Sequence, residues 1–375
     1  MNILLIDQIY SVSYKYTSSL ALALGVRNKV FIAGDFSNPD ILSGDHETPT
    51  LFHLFTTAQK GLSKITKLRN YCSSYRQIIR IIKKYHINAV YAEWFSCSPI
   101  DYFYLKKIAR LTKLLIAIND ILPFDQKFYD YHYLKKIYAL PKHVVVMAES
   151  NVLRFGQLFP SLAGKAVFIP LGNVLKFGEK VDKKVARNHL SVPSEAFVFL
   201  FFGQIKKVKG VGEIIASFSA LLKKYPNAFL IIAGKPWRED IDKYQKAIDE
   251  IGTKQILCNF SYVPDEDIKY YYGSADICLL PYTDVFQSGV VQLTYAFFKP
   301  AIVSDLKPFL DVVVGDETGF ICERGSVESL EKAMEKALGT ESGKLDYMAE
   351  AGRSLINQKF NWDQIAEKTE NLWLD

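Results

Sequence analysis

The stretch FVFLFFGQIKKVKGVGEIIASF, residues 197–218, decides how this chain reads. Phe197 to Phe202 form a continuous apolar run without alternation, the mark of a strand covered on both faces. Gly203 ends the run, a short loop carries Lys206, Lys207 and Lys209, and a helical pattern follows Gly210. Strand, glycine-bearing loop and helix in that order make one βα unit. Its chemistry suits an anion: glycine lets the backbone approach a phosphate, a helix N-terminus adds partial positive charge, and lysines neutralise a diphosphate. A solvated lysine-rich turn is the plainer reading of the same residues.

Working outward, short apolar runs alternate with amphipathic stretches along the whole chain, the pattern of stacked βα units on a parallel sheet. Expected strands in the first half are Ile3–Ile6, Val30–Ala33, Ala89–Ala92, Leu114–Ile118, Val144–Met147 and Val167–Ile169. In the second half they are Phe197–Phe202, Phe229–Ala233, Ile256–Ser261, Ile277–Leu280 and Ala301–Ser304. The polar, lysine-rich segment 172–196 separates the two series. The expected organisation is therefore α/β with two doubly wound domains, 1–172 and 173–358. A last helix over 359–375, opened by Asn361 and Trp362, is expected to pack back on the first domain. Two such domains in tandem predict a ligand cleft facing the carboxyl ends of both sheets.

Composition narrows the class. Of 375 residues 49% are hydrophobic and 23% charged, which excludes intrinsic disorder and a collagen-like fibre. No apolar run approaches the ~20 residues a membrane span needs. The opening MNILLIDQIY has no basic leader, so no signal peptide is expected. Five scattered cysteines without a CxxC pair argue against a zinc site or a disulfide scaffold and for the reducing cytoplasm. The net charge of +6 is unevenly divided: residues 1–175 hold 21 Lys/Arg against 11 Asp/Glu, or +10, and the remainder 25 against 29, or −4.

Two further loops repeat the motif of the opening stretch. One strand ends in IIAGKP (231–236), placing Gly234, Lys235 and Pro236 at its carboxyl end. Another, in ICLLPYTDVFQSGVVQLTYAFFKPAIVSD (277–305), precedes the loop Tyr282–Gly289, where Gln287, Ser288 and Gly289 can present amide, hydroxyl and backbone N–H groups at a helix start. Either is ordinary loop chemistry alone; three in order, at the ends of strands in one domain, are harder to dismiss.

These segments, with the run Tyr262–Tyr282 and the pair Thr318–Gly319, resemble the donor-binding domain of glycosyltransferase family 4, the group 1 glycosyltransferases. Family members are retaining enzymes of the GT-B fold, and the resemblance covers about residues 165–375. It implies a nucleotide-sugar donor and no metal. Lys206, where the family has Arg, and Lys209 would hold the diphosphate and stabilise the departing nucleoside diphosphate. Gly203, Gln204, Gly234, Lys235, Pro236 and Tyr282 would line the donor site. Val263 would flank the nucleobase, and Ser288 and Gly289 would reach diphosphate and sugar. The family's two glutamates, eight positions apart around the last helix, are absent here, and Asp284 and Gln287 are partial substitutes. The family's glycine before Lys-Pro is Phe298.

In the first half the resemblance is weaker. After the first strand, QIYSVSYKYTSS (8–19) stands where the family has a glycine-rich loop, and Ser11, Ser13 and Lys15 are its candidate acceptor contacts. INDILPFD (118–125) resembles the family's VHNILPHD and offers Asp120 and Asp125; YAEW offers Glu93. A carboxylate there is a candidate general base, or else a helix or turn cap. In retaining members the leaving phosphate is thought to take the acceptor's proton, and no base is required.

Residues 51–69 mix Lys60, Lys64, Lys67 and Arg69 with Leu, Ile and Phe, as a surface for anionic lipid would. A core helix with a solvated outer face fits residues 78–84 better. No nucleic-acid motif accompanies the charge, so no nucleic-acid partner is expected. The whole reads as a cytoplasmic glycosyltransferase, peripheral on the inner membrane. It would move a hexose-type sugar from a nucleotide diphosphate to a glycan or polyprenyl-diphosphate-linked acceptor in O-antigen or capsule assembly. Rival readings are a nucleotide-sugar 2-epimerase on the same fold and a non-catalytic nucleotide-sugar-binding homologue.

Overall fold

The computed structural model of the 375-residue chain describes residues 1–36, 49–55, 63–123, 127–285 and 289–375. Contacts divide it into two units, Met1–Gly172 with Phe360–Asp375, and Asn173–Lys359.

The first unit runs β1 (Asn2–Asp7), α1 (Tyr10–Gly25), β2 (Lys29–Gly34), β3 (Thr50–His53), α2 (Lys64–Lys84), β4 (Ala89–Glu93), α3 (Ser98–Ile108), β5 (Lys113–Ile118), α4 (Asp130–Ala139), β6 (Val144–Val146), α5 (Ser150–Leu158) and β7 (Ala166–Phe168). Its seven strands lie in the order β3-β2-β1-β4-β5-β6-β7, and every pairing is parallel. The strands are central and continuous, so both faces are covered; Ile3, Leu4 and Leu5 of β1 are wholly buried.

The second unit runs α6 (Lys183–Leu190), β8 (Phe197–Phe202), α7 (Val211–Leu222), β9 (Ala228–Ala233), α8 (Asp242–Ile251), β10 (Ile256–Asn259), α9 (Asp265–Ser274), β11 (Ile277–Leu280), α10 (Gly289–Ala296), β12 (Ala301–Ser304), α11 (Lys307–Leu310), β13 (Gly319–Cys322), α12 (Val327–Leu338) and α13 (Ser342–Lys359). Its sheet, also parallel throughout, reads β10-β9-β8-β11-β12-β13. In both sheets the third, second, first and fourth strands lie side by side in that order. This is the doubly wound arrangement, with its switch point between β1 and β4 in one unit and between β8 and β11 in the other.

The last helix, α14 (Trp362–Leu374), belongs to the first unit. Asn361 caps it, accepting from the N–H groups of Asp363 and Gln364. Trp373 is buried in the core formed by β1, α1 and β4. Lys113 Nζ donates to the Trp373 carbonyl at 2.6 Å, and Arg27 pairs with Glu370 at 3.0 Å. A Cβ on Gly172 would collide with the Trp362 ring, so only glycine admits the indole there.

Two elements differ from the sequence reading. Leu51 and Phe52, expected on a membrane-facing surface, lie in β3 beside β2, where Phe52 stacks on Phe31 at 6.2 Å. Leu54 and Phe55 are buried. Polar-apolar-apolar-polar Thr50–His53 shows no alternation to identify it, so pairing with β2 makes the strand. The helix of this stretch starts only at Lys64, capped by Ser63; Lys60 lies outside the described residues. The second is β13, a short strand at the edge, held in register with β12 from Gly319 onward. Among the described residues no helix is long and apolar enough to cross a membrane.

Candidate active site

The loops leaving β9, β8 and β11 are neighbours because their strands are neighbours. Gly203 N–H donates to the Ala233 carbonyl at 3.0 Å, and Ile205 N–H to that of Lys235 at 3.0 Å. The β8 and β9 loops therefore continue the sheet past its end, as far as a bridge between Ile205 and Pro236. Gly234 has φ +148, and a Cβ there would collide with the carbonyl of Gly203. Glycine is what lets these two loops touch. On the other side, Gly210 (φ +74) precedes α7, and a Cβ there would run into the Pro281 carbonyl. Thr283 N–H donates to the Val208 carbonyl at 2.9 Å, tying the β11 loop to the β8 loop.

Lys206 is half-buried and extended, at the start of a short 3-10 turn over Lys207–Lys209. The Lys209 ammonium lies 3.7 Å from the centroid of the Tyr282 ring, a cation–π contact between two of the three loops. Tyr282 is buried, its carbonyl accepting from Ser304 Oγ at 2.6 Å and its ring packing on Phe309. Gln204 and Lys235 are exposed, Asp284 is half-buried, and Val263 is buried between β10 and α9. Gly289 opens α10. Gln287 and Ser288 lie outside the described residues. The structure thus gathers Lys206, Lys209, Gly203, Gly234 and Tyr282 at the switch point, an electropositive, glycine-lined place suited to a diphosphate.

The corresponding place in the first unit has the opposite character. Asp7 ends β1, Glu93 ends β4, and they are register partners, both buried. Thr17 Oγ1 is 2.6 Å from Asp7 Oδ2 and 3.0 Å from Glu93 Oε1. The single Thr17 hydroxyl proton serves only one of them at a time. Burial pushes Asp7 up to about 6, opposed by hydrogen bonds from Ser13, Thr17 and Ile9. Burial, and then the nearby Asp7 charge, push Glu93 well above its usual range, against Thr17 and Asn119. Ser13 Oγ sits 2.5 Å from Asp7 Oδ2, so this candidate acceptor contact faces inward. Lys15 lies half-buried near the Tyr14 ring. Ser11 falls on α1, with its side chain outside the described residues, as is Asp125 altogether. Asp120 is half-buried just beyond β5.

Sequence reasoning passed over Asp7, which there only interrupts an apolar opening; a carboxylate closing a buried strand at a switch point was the available signal. It also passed over a third buried carboxylate. Asp101 accepts from Tyr75 Oη at 2.6 Å, Gln8 Nε2 at 3.0 Å and Cys97 N–H at 2.9 Å, besides Tyr71. With that many donors it is a structural pin between β1, α2 and α3. Among the described residues no cluster of His, Cys, Asp and Glu is placed to hold a metal ion.

Residues 182–355 match the family model described as glycosyl transferases group 1. The capsular polysaccharide biosynthesis glycosyltransferase CapM of Staphylococcus aureus is 25% identical over 51% of this chain and 50% of its own length. The lipopolysaccharide 1,2-N-acetylglucosaminetransferase of Salmonella typhimurium is 26% identical over 57% and 58%. The chain spans about half the length of the curated relatives it matches. Among solved structures, a sucrose-phosphate synthase from Thermosynechococcus elongatus superposes with a TM-score of 0.79 over 100% of this chain and 98% of that one, at 17% identity. Anabaena HepE, solved with UDP and glucose, gives 0.75 over 99% and 98%, at 14% identity. The chain thus has two Rossmann-type parallel sheets in the GT-B manner, and a segment inside its second unit is similar to the group 1 glycosyltransferases.

Proposed function

We propose that the protein transfers a hexose-type sugar, with retention, from a nucleotide diphosphate donor to a hydroxyl of a glycan or polyprenyl-diphosphate-linked acceptor in surface polysaccharide assembly. The observation that carries this is the meeting of the β8, β9 and β11 loops, with Lys206 and Lys209 beside Gly203 and Gly234 at the end of the sheet. As the sugar–phosphate bond breaks, negative charge grows on the leaving diphosphate. Lysine ammonium groups and backbone N–H groups already in place stabilise that charge without reorganising. They supply the positive charge themselves, so turnover is expected to survive chelation of divalent metal. Support also comes from the relatives named for capsule and lipopolysaccharide synthesis and from a fold neighbour solved with UDP.

The test is release of nucleoside diphosphate from a panel of nucleotide sugars in the presence of lipid extracts. Lys209→Ala is expected to lower turnover by about a hundredfold or more. Turnover within a few-fold of the parent would remove Lys209 from the reaction. A non-catalytic sugar-nucleotide binder is the second reading, favoured by the absent glutamate pair; binding without release in any extract would select it.

Membrane contact is part of the proposal. Helix α2 carries seven basic and no acidic residues. At its start Ile65 is 80% and Leu68 50% exposed, beside exposed Lys64, Lys67 and Arg69. Apolar side chains among cations suit an anionic bilayer, at about 1 kcal/mol per basic residue near the surface. Lys64→Glu with Lys67→Glu is expected to release the protein from phosphatidylglycerol vesicles in a flotation assay, and unchanged flotation would remove this surface.

A further inference from the structure

An open pocket of about 150 Å³ lies in the first unit, where β4 and β5 end and α4 passes over them. That is about the size of a cavity that holds one six-membered ring. Trp94, Phe95 and Tyr138 supply aromatic surface, Leu134 an apolar floor, and Asn119 and Asp120 the polar groups. Three observations set it apart from packing debris. Trp94 has φ +58, a left-handed conformation that bulky residues rarely hold, directly after the buried Glu93. The Trp94 indole N–H makes no hydrogen bond among the described residues, so packing alone places the ring. Asn119, against Glu93, and Tyr138, donating to the Ile121 carbonyl at 3.1 Å, are both held from behind.

We propose that this pocket binds one uncharged sugar ring of the acceptor, with Trp94 as the stacking surface and Asp120 and Asn119 as hydroxyl partners; the assignment to the acceptor rests on the transferase reading above. A pyranose has a face of C–H groups that packs on an aromatic ring and a rim of hydroxyls that both donate and accept. A carboxylate and an amide beside an indole match that combination. The alternatives fit less well. A lipid tail would bury Asp120 against hydrocarbon, an expensive desolvation. A nucleotide phosphate would meet the Asp120 carboxylate, and no Lys or Arg lines the pocket among the described residues.

Saturation-transfer NMR on the full chain, with methyl and octyl glycosides of glucose, galactose, mannose and N-acetylglucosamine, tests the proposal. At least one glycoside should show transfer to its ring C–H protons. That signal should vanish in Trp94→Ala, persist in Trp94→Phe, and require roughly tenfold more ligand in Asp120→Asn, which keeps the shape and removes the charge. No ring transfer with any glycoside overturns the proposal. So does transfer confined to the octyl chain, or a Trp94→Ala or Asp120→Asn protein that binds like the parent. Glycoside binding without turnover of any nucleotide sugar would overturn the transferase reading and leave the pocket standing. Turnover whose acceptor KM is unchanged in Trp94→Ala and Asp120→Asn would do the reverse.

Discussion

The two switch points of this molecule share a strand order and oppose each other in chemistry. Between β8 and β11 the backbone is glycine-bearing and the side chains are lysines, half-buried and near solvent. Between β1 and β4 no glycine stands in the loop, and the side chains are two buried carboxyls sharing the Thr17 hydroxyl. One end has the groups to suit an anion; the other is filled by the protein's own polar groups. A doubly wound sheet thus provides a place for chemistry without dictating what occupies it.

The largest way to break the contrast is to fill the glycine at the open end. Gly234→Ala places a methyl against the Gly203 carbonyl and forces a left-handed backbone on alanine. Nucleotide binding by calorimetry should be lost, with stability lowered by on the order of 2–4 kcal/mol; a tightly binding Gly234→Ala protein would show that the loops need not touch.

The closed end should respond to pH instead. Asp7 has a folded-state value of about 6 against an ordinary 3.8. Its proton is held more tightly folded than unfolded, so the associated stability is complete below about pH 4 and lost as pH rises through 6. The amount is on the order of 3 kcal/mol. Asp7→Asn should abolish that loss, gaining on the parent between pH 4.5 and 7 in urea unfolding. A parallel pair of pH profiles would mean that burial does not hold the Asp7 proton.

The smallest expected effect sharpens the family comparison. Phe298 holds φ +58 where the family has glycine, and its ring lies 4.3 Å from Arg353 and 5.3 Å from Lys180. Phe298→Gly relieves about 1–2 kcal/mol of left-handed strain and forfeits contacts of about 0.5–1 kcal/mol each. The thermal midpoint should move by only a few degrees, and a collapse would make the ring a structural support.

Much of this was readable in the chain. Continuous runs such as FVFLFF and NILLID are strands because only burial on both faces accommodates them, and the glycine-lysine loops follow from where those runs stop. Thr50–His53 was not readable, since its pairing with β2 is non-local and its four residues carry no period. Nor was the inward turn of Ser13 onto Asp7, because the sequence of an acceptor loop looks the same whether its hydroxyls face a ligand or a buried acid. The reason for the family's glycine at position 298 emerges only from the backbone angle.

The placement of α14 has a consequence for biosynthesis. Trp373 completes a core whose members outside α14 are made first, and all of residues 173–359 are translated in between. At ~5–20 residues per second, the first unit waits on the order of 10–40 s with an unfilled apolar seat for its last helix. The surface flanked by Tyr16, Tyr91 and Leu24 is therefore where a nascent-chain chaperone has most to cover, and where a shortened message leaves the first unit, rather than the second, incomplete.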